Sequence, residues 1–285
     1  MMHEGAVPSV LITVRHISRT RQGKTRSVGD EMMTTPPDYD FEAAFATAFF
    51  VAAARSHDAS SVSPLIGRTI EGGVPDHCAQ TFVSHADKRL FHDFCEHLQL
   101  PPDAAASGIA LRTAYVDELL MKAYADGTRQ FVGLASGLDA RPWRLPLDGL
   151  EGETTVYEVD CPSGVRFKES MVKLLDPEST PLRCGKRVPV EADLSDEAWP
   201  TALLAKGFNP QEPSFWILEG ILMYLPPDVP ARLIRAMSAM MTEGREGGAS
   251  TLYSHVYLFN FYILHTVRIN RDQRINVLTG RPTGW

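Results

Sequence analysis

Three acids stand where an apolar run gives out: Asp160 after TVYEV, Asp193 after RVPVEA and Glu219 after SFWIL. A single carboxylate in such a place is ordinarily a helix cap or a solvated loop residue, and Asp196 is expected to N-cap the helix that follows it. Three at successive strand ends make a row of acceptors along one edge of a sheet. A carboxylate after the second strand can accept hydrogen bonds from both hydroxyls of a ribose. Asp193 suits an adenine amino group, with the backbone beside Leu194 meeting a ring nitrogen. Such a row repels phosphates and attracts a cation, so a nucleoside-bearing sulfonium fits it better than NAD or ATP.

The stretch that must position this row is RQFVGLASGLDARPWRLP, from Arg129 to Pro146. Gln130 to Leu134 reads as a buried strand, and Ala135, Ser136 and Gly137 are small enough for backbone to approach a ligand at its carboxyl end. Ligands of open α/β sheets sit at that end. The glycine spacing is not GxGxxG, because Gly133 lies inside the apolar run and nothing continues the pattern after Gly137. Taken alone, the turn reads equally well as an ordinary link between strand and helix.

Around it the pattern alternates. Strands are expected at 130–134, 154–160, 187–194, 214–219 and 250–257, with helices at 162–175, 196–206 and 228–241 between them, which implies a parallel sheet with right-handed crossovers. After Tyr257 a helix and an antiparallel pair would complete seven strands, but no clear pair precedes Trp285, so the C-terminal strands read as truncated. Upstream, helices are expected at 41–55, 87–100 (closed by Pro101 and Pro102) and 110–125, the last carrying Arg112 and Asp117 on an otherwise apolar profile. Residues 56–86 read as loop-rich. Residues 1–40, with Arg15, Arg19, Arg21, Lys24 and Arg26, read as a disordered basic tail or a transit-like segment. The organisation expected is thus a tail over 1–40 and one domain over 41–285: a helical cap (41–128), a Rossmann-like core (129–257) and a C-terminal segment (258–285).

Composition narrows the partners. With 285 residues, 44% of them hydrophobic, the chain can bury one large α/β core. Its net charge of −7 argues against a nucleic-acid surface. Cys78, Cys95, Cys161 and Cys184 form no CxxC pair and no zinc spacing, as expected of reduced thiols in a cytoplasmic protein without a metal. No apolar run reaches membrane-spanning length.

Taken together, the motifs resemble those of the leucine carboxyl methyltransferase family of class I S-adenosylmethionine (SAM)-dependent methyltransferases, in its polyketide O-methyltransferase-like branch. The resemblance runs through Arg112, Thr113 and Asp117, then LASGLD from Leu134 to Asp139 with Arg141 and Arg144 beyond. It continues through Glu158, Asp160 and Pro162, through Ala192-Asp193-Leu194, and through Glu219, Gly220, Leu222, Met223, Tyr224 and Leu225. It implies S-adenosyl-L-methionine as cofactor. Arg112 would then meet the carboxylate of the methionine part, with Ala135 and Gly137 beside that part. Asp160 would hold the ribose, and Asp193 with Leu194 the adenine. Glu219 would lie near the amino group, Tyr224 near the methyl donor, and Arg141 and Arg144 would fix the turn. Ala135 departs from the family pattern, which has glycine there.

The activity this implies is O-methylation of a carboxylate or hydroxyl on a small molecule or peptide. A carboxylate acceptor is already ionised near neutral pH, whereas a hydroxyl needs a base, for which His255, near the end of the fifth strand, is the residue to consider. Two alternatives stay open. A degenerate SAM-binding protein without turnover would account for Ala135, and an NAD-dependent oxidoreductase is disfavoured by the missing glycine fingerprint.

Overall fold

The run 130–134 becomes the centre of a sheet because both of its faces are covered. The computed structural model describes residues 43–56, 76–84, 89–97, 99, 101–150, 153–221, 225, 228–242, 255–260, 263–269 and 275–279. Its seven strands are β1 (Gln130–Leu134), β2 (Thr155–Asp160), β3 (Lys186–Glu191), β4 (Ser214–Glu219), β5 (His255–Asn260), β6 (Ile263–Ile269) and β7 (Ile275–Thr279). They lie in the order β3-β2-β1-β4-β5-β6-β7. Neighbours from β3 across to β5 pair in parallel, and β6 and β7 are added antiparallel. This is an open, doubly wound Rossmann-like sheet whose direction of winding reverses between β1 and β4, the place where such sheets form a binding crevice.

Alternation along the strands assigns the two faces. Val132, Leu134, Tyr157, Trp216 and Leu218 pack against α7 (Trp199–Ala205) and α8 (Val229–Thr242) through Trp199, Leu203, Leu233 and Met237. Phe131, Val156, Phe215 and Ile217 pack against Val116, Leu120 and Tyr124 of α4 (Pro102–Ala125). Each such side chain contributes roughly 1.5–3 kcal/mol on burial. Beside α4, α6 (Pro162–Val172) is tied to the sheet by Lys168, whose ammonium lies 2.8 Å from the buried Glu158 carboxylate, which also accepts from Arg187 of β3. Glu158 and Asp160 share one strand parity, so this clamp also fixes the face to which Asp160 belongs.

The upstream helices are α1 (Ala43–Ser56), α2 (His77–Ser84) and α3 (Arg89–His97). With α4 they form a layer that shares a core with the turn after β1: Phe49, Ala52, Cys78 and Phe82 pack with Leu138, Trp143 and Phe167. α2 arises in a region read as loop, where Asp76 caps it by accepting from the Ala79 N–H at 2.9 Å. Pro101 and Pro102 do more than close α3. They open α4, since proline at the first helical position lacks only an N–H that would be unpaired anyway. The expected tail over 1–40 lies outside the described residues.

Two expectations at the carboxyl end are corrected. β6 follows β5 after two residues and pairs antiparallel with it, and β6 and β7 supply the antiparallel pair that the pattern did not reveal. Their β-branched residues, among them Ile263, Val267, Ile269, Ile275 and Val277, favour strands. In addition, β5 starts at His255, which aligns with Phe215, while Glu219 aligns with Phe259. At about 3.3 Å per residue, His255 stands about 13 Å from the carboxyl edge and not near it.

Candidate active site

After Leu134 the backbone enters a left-handed conformation at Ala135 (φ +52°) and again at Gly137 (φ +46°). These two reversals turn the Gly137 N–H toward β2, where it donates to Asp160 Oδ2 at 2.7 Å; Ser136 N–H donates to the Val159 carbonyl at 3.3 Å. Asp160 Oδ1 accepts from the Cys161 N–H at 2.8 Å at the start of α6. Gly164 lets that helix turn come close, for a Cβ there would lie 2.9 Å from Asp160 Oδ1. Each carboxylate oxygen therefore has one backbone donor, and the Cys161 side chain is a further hydrogen-bond partner of the group. Burial pushes the Asp160 pKa up, and the N–H groups of Gly137 and Cys161 only partly offset it.

Across β1, Glu219 ends β4 in a different setting. Its Oε1 lies 2.6 Å from Arg112 Nε and its Oε2 lies 3.2 Å from Arg141 Nη1. Burial would raise this carboxyl too, but Arg112 and Arg141 outweigh it and hold the pKa below the ordinary value. Arg141, the first residue of the short helix α5 (Arg141–Arg144), is 2% exposed. It also meets Asp117 at 2.7 Å and Asp139 at 2.5 Å, while Arg144 reaches the other Asp117 oxygen at 2.6 Å. Burial opposes ionisation of Asp139 as well, but Arg141, Arg55 and Lys168 hold it well below the usual carboxylate range.

Arg112 thus stands in mid-helix, half-buried, and brings α4 onto the carboxyl edge of the sheet through Glu219. Gly220 beside it is left-handed, at φ +75°, which favours glycine there; a Cβ would meet Arg112 Nη1 only in ordinary contact, at 3.7 Å. Asp193 falls beyond Glu191, the last residue of β3, and is exposed; its Oδ1 accepts from both the backbone N–H (2.8 Å) and the hydroxyl (2.7 Å) of Ser195. Leu194 is buried against the α7 and α8 side. Asp196 is not the N-cap of α7, which is Ala198; Asp196 accepts from the Ala198 N–H instead, because the helix starts later than its sequence suggests. Tyr224 lies outside the described residues. The structure therefore brings Asp160, Ala135 and Gly137 together on one side of β1 and Arg112 with Glu219 on the other.

Sequence reasoning missed Arg55 and Asp76. Arg55 Nη2 donates to the Leu138 carbonyl at 3.0 Å, and its Nε lies 3.5 Å from Asp76 Oδ2. The one available signal was a lone cation closing an alanine-rich helix. Among the described residues there is no cluster of metal-ligating side chains, and no helix is long and apolar enough to cross a membrane.

The sheet order and the turn define a Rossmann-like fold whose topological switch point lies between β1 and β4. Within that class the chain belongs to the leucine carboxyl methyltransferase family, whose profile matches residues 64–238. A Mycobacterium marinum protein named as an S-adenosyl-L-methionine-dependent methyltransferase is 38% identical over 200 residues, covering 70% of this chain and 63% of that protein. A Mycolicibacterium smegmatis protein of similar name is 46% identical over 136 residues, 48% of this chain and 43% of its own length. The chain spans less than two thirds of both these curated relatives. A crystal structure of a Thermobifida fusca methyltransferase is 19% identical, with 70% of each chain covered and a TM-score of 0.41.

Proposed function

We propose that the protein is an S-adenosyl-L-methionine-dependent O-methyltransferase, its methyl acceptor a small molecule or peptide. The observation that carries the reading is Asp160: a buried carboxylate at the end of β2, fixed by two backbone N–H groups beside a left-handed turn, with no guanidinium or ammonium paired to it. That is an acceptor built for a pair of hydroxyls. Arg112 and Glu219 fit the other end of the same cofactor, because they offer one cation and one anion to an amino-acid group that carries both charges. Asp193 with Leu194 would take the adenine, and Tyr224 is assigned to the methyl side. Ala135 takes the left-handed conformation for which the family uses glycine, which weakens the case for a degenerate site.

When bound, the cofactor supplies an electrophilic methyl group. The residues of the chain then align the acceptor, exclude water and hold the charges that flank it. With His255 at the far end of β5, the base considered for a hydroxyl acceptor is out of place, which favours a carboxylate acceptor. In this reading residues 41–285 act as one unit with α1–α4 as its cap. A cytoplasmic setting belongs to the same proposal: Cys78, Cys95, Cys161 and Cys184 are unpaired, and burial pushes the Cys78 and Cys184 thiols up to about 12, where they are inert.

Thermal unfolding with S-adenosylhomocysteine, NAD and ATP in parallel tests the cofactor. A ligand at one hundred times its dissociation constant stabilises by about 2.7 kcal/mol. The expected result is a shift with S-adenosylhomocysteine alone; a shift with NAD alone would transfer the chain to the oxidoreductase reading. Label transfer from methyl-labelled SAM to panels of carboxylic acids and of alcohols and phenols then separates the acceptor classes.

A further inference from the structure

We infer that Arg55, from the cap helix α1, is a positioning residue for the cofactor turn, acting through the carbonyl of Leu138. The inference rests on the proposed cofactor site and adds to it a control point on a different element. The Arg55 guanidinium is buried, at 8% exposed, in the last turn of α1, and donates from Nη2 to the Leu138 carbonyl at 3.0 Å. Leu138 directly follows Gly137, whose N–H holds Asp160. The peptide group between Leu138 and Asp139 is thereby gripped from two sides, because the Asp139 N–H in turn donates to the Ser136 carbonyl at 2.9 Å.

Contact reinforces the hydrogen bond. A Cβ on Gly137 would lie 3.0 Å from Ala48 Cβ, so α1 rests directly on the turn, and Leu138 is packed with Phe49 and Ala52 of that helix. Without the cap, the two left-handed residues, Ala135 and Gly137, would be held by β2, through Val159 and Asp160, and by the bonds of Asp139 to Ser136 and Arg141. A hydrogen bond from a charged donor to a buried carbonyl is among the stronger ones in a protein. Its loss frees the Leu138–Asp139 peptide to rotate and so loosens the turn that carries the Gly137 N–H toward Asp160. The Arg55 partnership with Asp76, at 3.5 Å, has a separate effect: it ties α1 to the start of α2, where Asp76 also lies 3.9 Å from Arg144, and it leaves the bond to the Leu138 carbonyl to Nη2.

The two partners allow the two roles to be tested apart. Arg55→Met removes both interactions, Arg55→Lys keeps the charge with a single donor group in place of the fork, and Asp76→Asn keeps the α2 cap but removes the ion pairs with Arg55 and Arg144. S-adenosylhomocysteine affinity is measured by titration calorimetry, unfolding midpoints are measured without ligand, and hydrogen exchange is followed in the peptide spanning residues 134–139. Arg55→Met is expected to weaken binding about tenfold, on the scale of one buried hydrogen bond, and to speed exchange at Gly137. Arg55→Lys should recover part of both effects, and Asp76→Asn should lower the midpoint while leaving affinity within about twofold. If Arg55→Met does not fold, Arg55→Lys carries the test, with an expected loss of about threefold. Unchanged affinity and exchange in the folded Arg55 variants, with lower midpoints only, would show that Arg55 merely anchors the cap and would overturn the inference. Failure of the parent protein itself to bind S-adenosylhomocysteine would overturn the cofactor reading instead, while the exchange measurement would still decide whether Arg55 sets the turn.

Discussion

Asp160 and Glu219 end the two strands that flank β1, and in sequence they are equivalent acids. In the structure they are opposites. Asp160 is held chiefly by backbone N–H groups, with burial raising its pKa, whereas Glu219 lies between two guanidinium groups that lower it. The first carboxylate has no guanidinium or ammonium paired to it. The second is half of a charge network in which Arg55, Arg112, Arg141 and Arg144 face Asp76, Asp117, Asp139 and Glu219, and which joins α1, α2 and α4 to the turn and to β4. Under the proposed function, the contrast gives recognition chiefly to the β2 side and cohesion of the helical layer with the sheet chiefly to the β4 side.

Breaking the cohesive side should have the largest effect. Arg141→Met leaves Asp117, Asp139 and Glu219 close together without their shared cation, and removal of one partner from a buried pair costs about 3–5 kcal/mol. Urea unfolding of the variant measures it. A loss of less than about 1 kcal/mol would mean that the acids adjust by taking up water or protons, and the division between the two sides would blur.

Asp160→Asn tests the recognition side. Affinity for S-adenosylhomocysteine should fall about a hundredfold, or about 2.7 kcal/mol. Stability should stay within about 1 kcal/mol of the parent, because relief of a buried charge offsets one backbone N–H left facing the amide. Binding within about twofold of the parent would mean that the ribose is held elsewhere. Titration with acid reads the same contrast with opposite signs. The folded pKa of Asp160 is raised, so its ionisation costs stability as pH climbs above the ordinary 3.8, and the asparagine variant should gain on the parent through that window. The folded pKa of Glu219 is lowered, so its contribution is present above the ordinary 4.5 and is lost as pH falls below it. Glu219→Gln should therefore fall further behind the parent as pH rises through that same region.

The contrast was not legible in the sequence, although both acids were. β1 and β4 have the bounds their apolar runs suggest, since each run is buried on both faces and ends abruptly at a small residue or an acid. The pairing of Arg112 with Glu219 spans 107 residues, and no local pattern reports such a partnership. β5 was misplaced for a related reason: its start is set by alignment with β4 and by the hairpin to β6, both of which are tertiary. α2 was hidden because HCAQTFVS is short and follows a stretch rich in serine and glycine, so its apolar residues count only once Phe82 and Cys78 meet Trp143 and Phe167 in the shared core.

Ala135→Gly makes the smallest and most discriminating change. Ala135 sits at φ +52°, where an L side chain crowds the following carbonyl at a cost of about 1–2 kcal/mol. Glycine removes that cost but enlarges the conformational freedom of the unfolded chain, by about 0.5–1 kcal/mol. The left-handed backbone belongs to a turn fixed on both sides, by Asp160 through Gly137 and by Arg55 through Leu138. The strain is therefore carried by the fold itself, and its relief should appear as stability: a gain of about 0.5–1 kcal/mol in unfolding, with S-adenosylhomocysteine affinity within about twofold. Affinity that tightens about fivefold, with the unfolding midpoint unchanged, would instead mean that the turn takes this shape only around the cofactor. In that event Arg55 could not be holding it beforehand, and the two ends of the comparison would be linked through the ligand and not through the cap.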